Sequence, residues 1–298
     1  MDLVDGIRIF VAAVETGSFS GAAGRLGISA KLASKYMAQL EARMGTQLLH
    51  RTTRRLGLTP AGERLMAQAP AWLDQLDDMT SDLREPQRGL SGTVRVSAAV
   101  THGEIVVAPL LRRFRGLHPG LTIDLRLSDA FVDLAAGGID LAIRIGPLDD
   151  SALIARRIGT MALIPVAAPA YLDAHGHPAT PDDLTHHACL RDTNMRGDGA
   201  WILTGKDGDH RIRVTGHFLV NSARAARDLA VQAEGVALCP DYVVRDDIAA
   251  GRLVGVLPGF HGPRRAVHAV YLPQRRIARR ARALLDFLAG ALPDPTAD

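Results

Sequence analysis

The stretch GSFSGAAGRLGISAKLASKYMAQLE, residues 17–41, leaves a folding chain few choices. Ser18 can cap a helix through FSGAAGRLG, and Gly27 ends it, because glycine takes the left-handed conformation at a helix C-terminus with little cost. Ile28 anchors the turn. Ser29 then caps another helix by accepting a hydrogen bond from a free backbone N–H. Upstream, DGIRIFVAAVETGS sets Ile7, Phe10, Val11 and Val14 at helical spacing and stops near Gly17. Ala22 and Ala23 are small enough to let two helices cross closely. Two short helices joined by a tight glycine-containing turn form a helix-turn-helix.

The helix after Ser29 carries two faces. Ala33, Met37 and Leu40 recur at i, i+4, i+7 and form an apolar stripe. Lys31, Ser34, Lys35 and Ala38 recur at i, i+3, i+4, i+7 on another side. Lysines on an amphipathic helix ordinarily face only water. Charge distribution argues for more here. The chain has 35 Lys and Arg against 32 Asp and Glu, a formal +3. Residues 1–58 hold eight Lys and Arg against four Asp and Glu, so the head is +4 and the rest sums to −1. A basic head on a near-neutral body is the electrostatic footprint of a nucleic-acid module.

The second helix of a helix-turn-helix lies in the major groove with its N-terminal half nearest the bases. That half holds Ala30, Lys31, Leu32, Ser34 and Lys35, entered through Ser29. Lysine can donate to guanine or to phosphate, serine can reach either, and an apolar side chain can meet a thymine methyl. Two short β-prone runs around RTTRR suggest a hairpin wing. Its Arg51, Arg54 and Arg55 would lie over the backbone or enter the adjacent minor groove.

GSFSGAAGRLGIS, followed by SKYMAQLE and LLHRTTRRLGLTPAGE, resembles the N-terminal domain of the LysR-type transcriptional regulators, from residue 1 to about 64 without a gap. This chain departs from the family where Gln-Pro often follows the serine that opens the recognition helix; here it has Ala30-Lys31. It has Leu49-His50 where a Phe often precedes the wing's basic residue. Both departures bear on which operator is read.

Beyond the wing, Thr59 can cap a further helix with Pro60 at its first position. Leu65, Ala69, Trp72, Leu76, Met79 and Leu83 step by 4, 3, 4, 3, 4. That heptad seam suits a two-helix dimer interface, or a helix packed on its own domain. Pro70 predicts a kink or a restart near residues 68–71. REPQRGLSG then reads as a linker or hinge.

From Leu90 on, strand and helix patterns alternate: TVRVSAAV, IVVAPLLRRFRGLHP, LTIDLRLSD, a short helix at FVDLAAGG, and IDLAIRIG. This is a doubly wound α/β pattern. A second set runs to VALCPDYVVRDDIAAG, and AVHAVYLP with the helix from Ile277 to Leu292 looks like a return to the first set. DLAIRIG, APAYLDAHG and GVALCPDYVV are similar to the effector domains of one LysR-type subgroup. The resemblance implies an α/β body built as two lobes like a small periplasmic binding protein, with a ligand cleft between them. The expected organisation is a winged helix-turn-helix over 1–58, a linker (dimerisation) helix and hinge over 59–90, and an effector-binding domain over 91–298. Lobe I would span about 91–161 plus 267–298, and lobe II about 162–266.

In open α/β sheets ligands bind beyond the carboxyl ends of strands. Those ends are Val100, Thr101 and His102 after the first strand, Ser128 and Asp129 after the second, and Arg144 after the third. Thr193, Asn194, Asn221 and Pro240 hold comparable places in the second lobe. Arg144 follows a strongly apolar strand, so it pairs with a carboxylate such as Asp129 or meets an anionic ligand.

An enzyme built on the same body is the main alternative, and a DNA-binding protein without sequence preference is another. No Walker loop, G-x-S-x-G, HExxH or G-x-G-x-x-G occurs. HGH at 175–177 and HH at 186–187 lack a carboxylate cluster and read as surface histidines rather than metal ligands. Cys189 and Cys239, in apolar contexts, read as buried thiols rather than a regulatory disulfide. Acidic residues at the start and the lack of an apolar run near the roughly 20 residues of a membrane span point to a cytoplasmic protein off the membrane. The expected partners are a double-stranded DNA operator and a small-molecule effector, with organic acids the first class to screen. No metal or cofactor is expected. The resemblance implies dimers that pair into tetramers, and leaves a contact with RNA polymerase open.

Overall fold

The computed structural model describes residues 2–52, 55–84, 89–130, 133–134, 137–148, 153–195, 199–273 and 277–292. The head opens with α1 (Leu3–Thr16), α2 (Phe19–Leu26) and α3 (Ala30–Met44). The caps read from the sequence form. Ser18 Oγ accepts from Gly21 N–H at 3.0 Å, Ser29 Oγ accepts from Leu32 N–H at 3.2 Å, and Gly27 sits at φ +67°. Ala22 and Ala23 are buried where α1 and α2 meet α3. Phe10, Met37 and Leu40 are fully buried in the head's core.

The wing pairs β1 (Leu49–Thr52) with β2 (Arg55–Leu58) antiparallel, Thr52 opposite Arg55. Glu41 ties it to α3, its carboxylate accepting from the N–H groups of Leu48 at 2.8 Å and Leu49 at 3.2 Å. Thr59 Oγ1 accepts from Gly62 N–H at 3.0 Å and donates to Gln47 O at 2.7 Å. A Cβ at Gly62 would stand 2.0 Å from Leu48 O, so only glycine lets α4 (Pro60–Arg84) approach the wing this closely.

The structure bears on two readings of this helix. It runs on through Pro70 without restarting. The lost hydrogen bond and the crowding of the preceding turn, about 3 kcal/mol, are outweighed where the N-terminal half of the helix packs on the head. The seam also does not stay free along its length. Ala69 is buried in the head's own core beside Leu73, and Leu65 packs against that core. Trp72 is 42% exposed and Leu76 is partly buried, so the outward part of the stripe begins there. Met79 and Leu83 belong to the helix, but their side chains lie outside the described residues.

In the body, strands β3 (Gly92–Ala98), β4 (Leu121–Leu127) and β5 (Leu141–Ile145) run parallel, and a helical crossover joins β3 to β4. That crossover begins earlier than its periodicity predicts. A turn of helix α5 (Val100–His102) passes into a π-helical stretch (Gly103–Val107) and then α6 (Ala108–Leu117). Pro109, without an N–H, sits just after the widened turn, where an α-helical bond could not form anyway. The short helix expected over 131–138 is absent from its described residues, where Leu134, Gly137 and Gly138 form turns; Phe131, Val132, Ala135 and Ala136 lie outside them.

The 14-residue β6 (Ile154–Ala167) carries the chain into the second lobe. That lobe holds α7 (Pro169–His175), β7 (Cys189–Asp192), the hairpin β8 (Ala200–Gly205) and β9 (Gly208–Arg213), β10 (Leu219–Val220), α8 (Ala223–Val231), β11 (Val236–Pro240), α9 (Asp241–Ala249) and β12 (Val254–Gly255). β13 (Arg264–Tyr271) returns, antiparallel to both β6 and β5, and α10 (Arg279–Ala291) covers the first lobe. The sheet order is β10-β7-β11-β6-β13-β5-β3-β4. Thus β6 and β13 are the strands common to both lobes. One core packs α6 and α10 against β3–β5; separate clusters pack α7, α8 and α9 on β6, β7 and β11.

Both cysteines are buried free thiols, and burial pushes Cys189 up to about 12. The histidine pairs divide. His175, His177 and His186 are exposed, but His187 is buried, correcting the surface reading. Its Nδ1 lies 3.2 Å from Tyr171 Oη, which also accepts from Ala188 N–H at 2.9 Å, so an aromatic partner draws this ring inside.

Candidate nucleic-acid interface and effector cleft

Packing Ala33, Met37 and Leu40 inward turns the rest of α3 outward. Ser29, Ala30, Lys31 and Lys35 are exposed, and Leu32 and Ser34 are partly exposed. Neither lysine forms an ion pair with a described residue, and the neighbouring Glu41 is committed to the wing. This leaves a one-signed face with free donors, the requirement for meeting phosphates and base edges. Arg51 and Arg55 stand on the wing strands, their side chains outside the described residues; Arg54, at the turn, lies outside them entirely.

In the body a cavity of about 280 Å³ opens between the lobes. Of the ten cleft residues read from strand ends, Thr101, His102, Ser128, Asp129, Arg144, Asn194 and Pro240 line it. Three do not. Val100 instead donates its N–H to Asp129 Oδ1 at 3.0 Å. Thr193 Oγ1 donates to Val220 O at 3.2 Å, and Asn221 lends its carbonyl to Asn194 Nδ2 at 2.6 Å. These polar groups serve the walls.

The floor is apolar, from Ile143, Ile145, Met161, Leu163 and Leu238. Sequence reasoning missed Asp192, Arg265 and Tyr242, which also line the cavity. Asp192 ends β7 one residue before the predicted Thr193, and Tyr242 opens α9 two residues after Pro240. Arg265 comes from the returning strand, and no local pattern marks it.

His102 is 3% exposed, and its Nδ1 has no hydrogen-bond partner. Its ring meets Tyr242 edge-on at 5.1 Å, and burial pulls its pKa down to about 4, so it is neutral near pH 7. Burial raises the pKa of Asp192, the nearby Asp129 charge adds to this, and the N–H of Asn194 opposes it. Asp129 accepts from Val100 and lies 3.5 Å from Asn194 Nδ2, a contact across the cleft. It does not pair with Arg144, whose pKa burial lowers. A second contact across the lobes joins Arg224 to Glu104 at 3.4 Å. Two lobes, a small cavity with an apolar floor and polar groups at its rim can enclose a small ligand. Among the described residues no group of His, Cys, Asp or Glu is arranged to hold a metal, and no helix is long and apolar enough to cross a membrane.

Comparison with known proteins matches both parts. Residues 4–63 fit the family described as "Bacterial regulatory helix-turn-helix protein, lysR family", and residues 87–293 fit "LysR substrate binding domain". The transcriptional regulator DmlR of Escherichia coli is 34% identical, with 97% of this chain and 94% of that protein covered. An uncharacterized HTH-type transcriptional regulator of Haemophilus influenzae is 35% identical over 93% of this chain and 96% of its own length. Among solved structures, the full-length Vibrio cholerae virulence activator AphB superposes with a TM-score of 0.62 at 30% identity, covering 97% of this chain and 99% of that one. CrgA of Neisseria meningitidis gives the same TM-score and identity, covering 96% and 97%. These relatives are regulators, which sets the enzyme alternative aside. The chain belongs to the LysR family of transcriptional regulators, a DNA-binding helix-turn-helix joined to a ligand-responsive substrate-binding body.

Proposed function

We propose that α3 is the recognition helix, with Lys31 and Ser34 reaching base edges, Lys35 on phosphate, and Arg51, Arg54 and Arg55 gripping the backbone or the minor groove beside it. The carrying observation is the outward, one-signed face of α3 beside a wing anchored by Glu41. The DNA-binding unit is residues 1–58, the linker 59–90, and the effector unit 91–298, with lobes at about 91–161 plus 267–298 and 162–266. The position of β6 and β13 at the junction of two separate cores supports that division.

Self-association runs through the outward part of α4, around Trp72, Leu76, Met79 and Leu83, and gives a dimer or a dimer of dimers. The effector is a small organic acid held between the lobes with its carboxylate toward Arg144. Its binding shifts how the lobes close and so how the two heads engage an operator, in a cytoplasmic protein that can then contact RNA polymerase. Footprinting on the DNA upstream of the protein's own gene is the test. A discrete protected site, changed in extent by an organic acid, is expected. Protection without sequence preference at every salt concentration contradicts it.

A further inference from the structure

The cavity lining bears both signs of charge, and the signs are segregated. Asp129 follows β4, the edge strand of one lobe, and Asp192 ends β7, next to the edge strand of the other, and they approach one another through Asn194. Asp192 Oδ1 accepts from Asn194 N–H at 2.9 Å, and Asn194 Nδ2 lies 3.5 Å from Asp129 Oδ2. Neither carboxylate pairs with a cation among the described residues. Arg144 and Arg265 come from β5 and β13, nearer the junction of the lobes. Arg144 stands two strand spacings, about 10 Å, from the line of β4, and Arg265 three. Arg265 pairs with no acid among the described residues. Between the two ends sits His102, nearly fully buried, its Nδ1 unpartnered.

A half-buried carboxylate facing another, with no cation between them, is a costly arrangement unless something positive arrives. A guanidinium at the other end calls for something negative, and prefers a carboxylate that it can meet with two parallel bonds. A plain organic acid satisfies Arg265 and leaves the acidic end worse off. A plain amine does the reverse. From this geometry we infer that the effector is a small zwitterion of the amino-acid class, its ammonium between Asp129 and Asp192 and its carboxylate toward Arg144 and Arg265. His102 supplies one neutral hydrogen bond between them. The volume of about 280 Å³ suits a small molecule. The inference rests on the cleft being the effector site and narrows the organic acid proposed above to one that also carries an ammonium.

The test is calorimetry and thermal shift on the full-length protein with matched probes. These are common α-amino acids and short ω-amino acids, the carboxylic acids lacking the amino group, and the amines lacking the carboxylate. The expected result is that at least one amino acid binds about 10- to 100-fold more tightly than its deaminated and decarboxylated counterparts, the weight of one charge-assisted contact. Asp192→Asn, nearly isosteric, should remove that preference over the deaminated acid without weakening the acid's own binding. Arg265→Gln should weaken both. Operator binding by each unliganded variant reports that it is folded. A carboxylic acid that binds as tightly as its amino acid, with Asp192→Asn without effect, overturns the zwitterion and leaves the cleft standing. Binding that is identical in the wild type, Asp192→Asn and Arg265→Gln overturns the cleft itself.

Discussion

Asp247 lies on α9, is 1% exposed, and sits between two arginines. Arg252 Nε donates to Oδ1 at 2.6 Å. Arg227 Nε, from α8, is also 2.6 Å away, at Oδ2, but off the hydrogen-bonding direction, so this contact is charge attraction only. The arginine side chains are 32% and 52% exposed and can turn to water; the carboxylate cannot. The two halves of the network should therefore respond unequally. Arg227→Met with Arg252→Met strands a buried charge. Losses of about 3–5 kcal/mol follow when a buried pair is broken, and the exposure of these arginines sets this case near 3. For a body of this size that is a fall in Tm of roughly 6–12 °C. Adding Asp247→Ala to the double variant removes the stranded charge and should recover part of the loss. Circular dichroism melts of the three proteins, wild type, double and triple variant, give the answer. A double variant within about 1 kcal/mol of wild type, or a triple variant less stable than the double, would refute the reasoning. The pair matters for function because α8, β11 and α9 supply Ala223, Pro240 and Tyr242 to the cleft wall.

Two further outcomes follow from single residues. Leu73→Ala should destabilise the head by about 2–5 kcal/mol through a cavity beside Phe10 and Met37, whereas Leu76→Asp should leave the monomer's fold intact and weaken association; sedimentation and melting separate the two, and an unchanged dimer for Leu76→Asp refutes the interface. His102 is held neutral when folded, at about 4 against 6.5 unfolded, so its stabilising contribution is present above pH 6.5 and is lost as pH falls toward 4. That loss is on the order of 3 kcal/mol and should disappear in the pH profile of denaturant stability of His102→Gln.

The head was legible in the sequence because its determinants are local. Ser18, Gly27 and Ser29 act on backbone within three or four residues of themselves, and Ala33, Met37 and Leu40 announce their face by spacing. What escaped depends on tertiary contact. Nothing in the heptad stripe says that Ala69 would be taken into the head's core while Trp72 is left out. Glu41, an ordinary helical acid by pattern, becomes the wing's anchor only once β1 has folded back on it. In the cleft, strand ends located seven lining residues, because the carboxyl edge of a sheet is set by topology. They failed for Arg265, which reaches the cavity from a strand that runs the other way, and for Thr193 and Asn221, whose polar groups are used in the wall. Pro70 forces no restart because the packing of a long helix outweighs the hydrogen bond it removes.

The claim that the chain reads DNA through the outward face of α3 is tested most directly by fluorescence anisotropy on operator and scrambled duplexes across a salt series, with Lys31→Ala, Ser34→Ala and Lys35→Ala. Lys35→Ala should weaken both duplexes alike and reduce the salt slope by about 1. Lys31→Ala or Ser34→Ala should cost roughly 1–3 kcal/mol on the operator alone and relax the choice of one base pair per half-site. Wild-type affinity and an unchanged slope in all three variants would contradict the assignment and return these side chains to solvent.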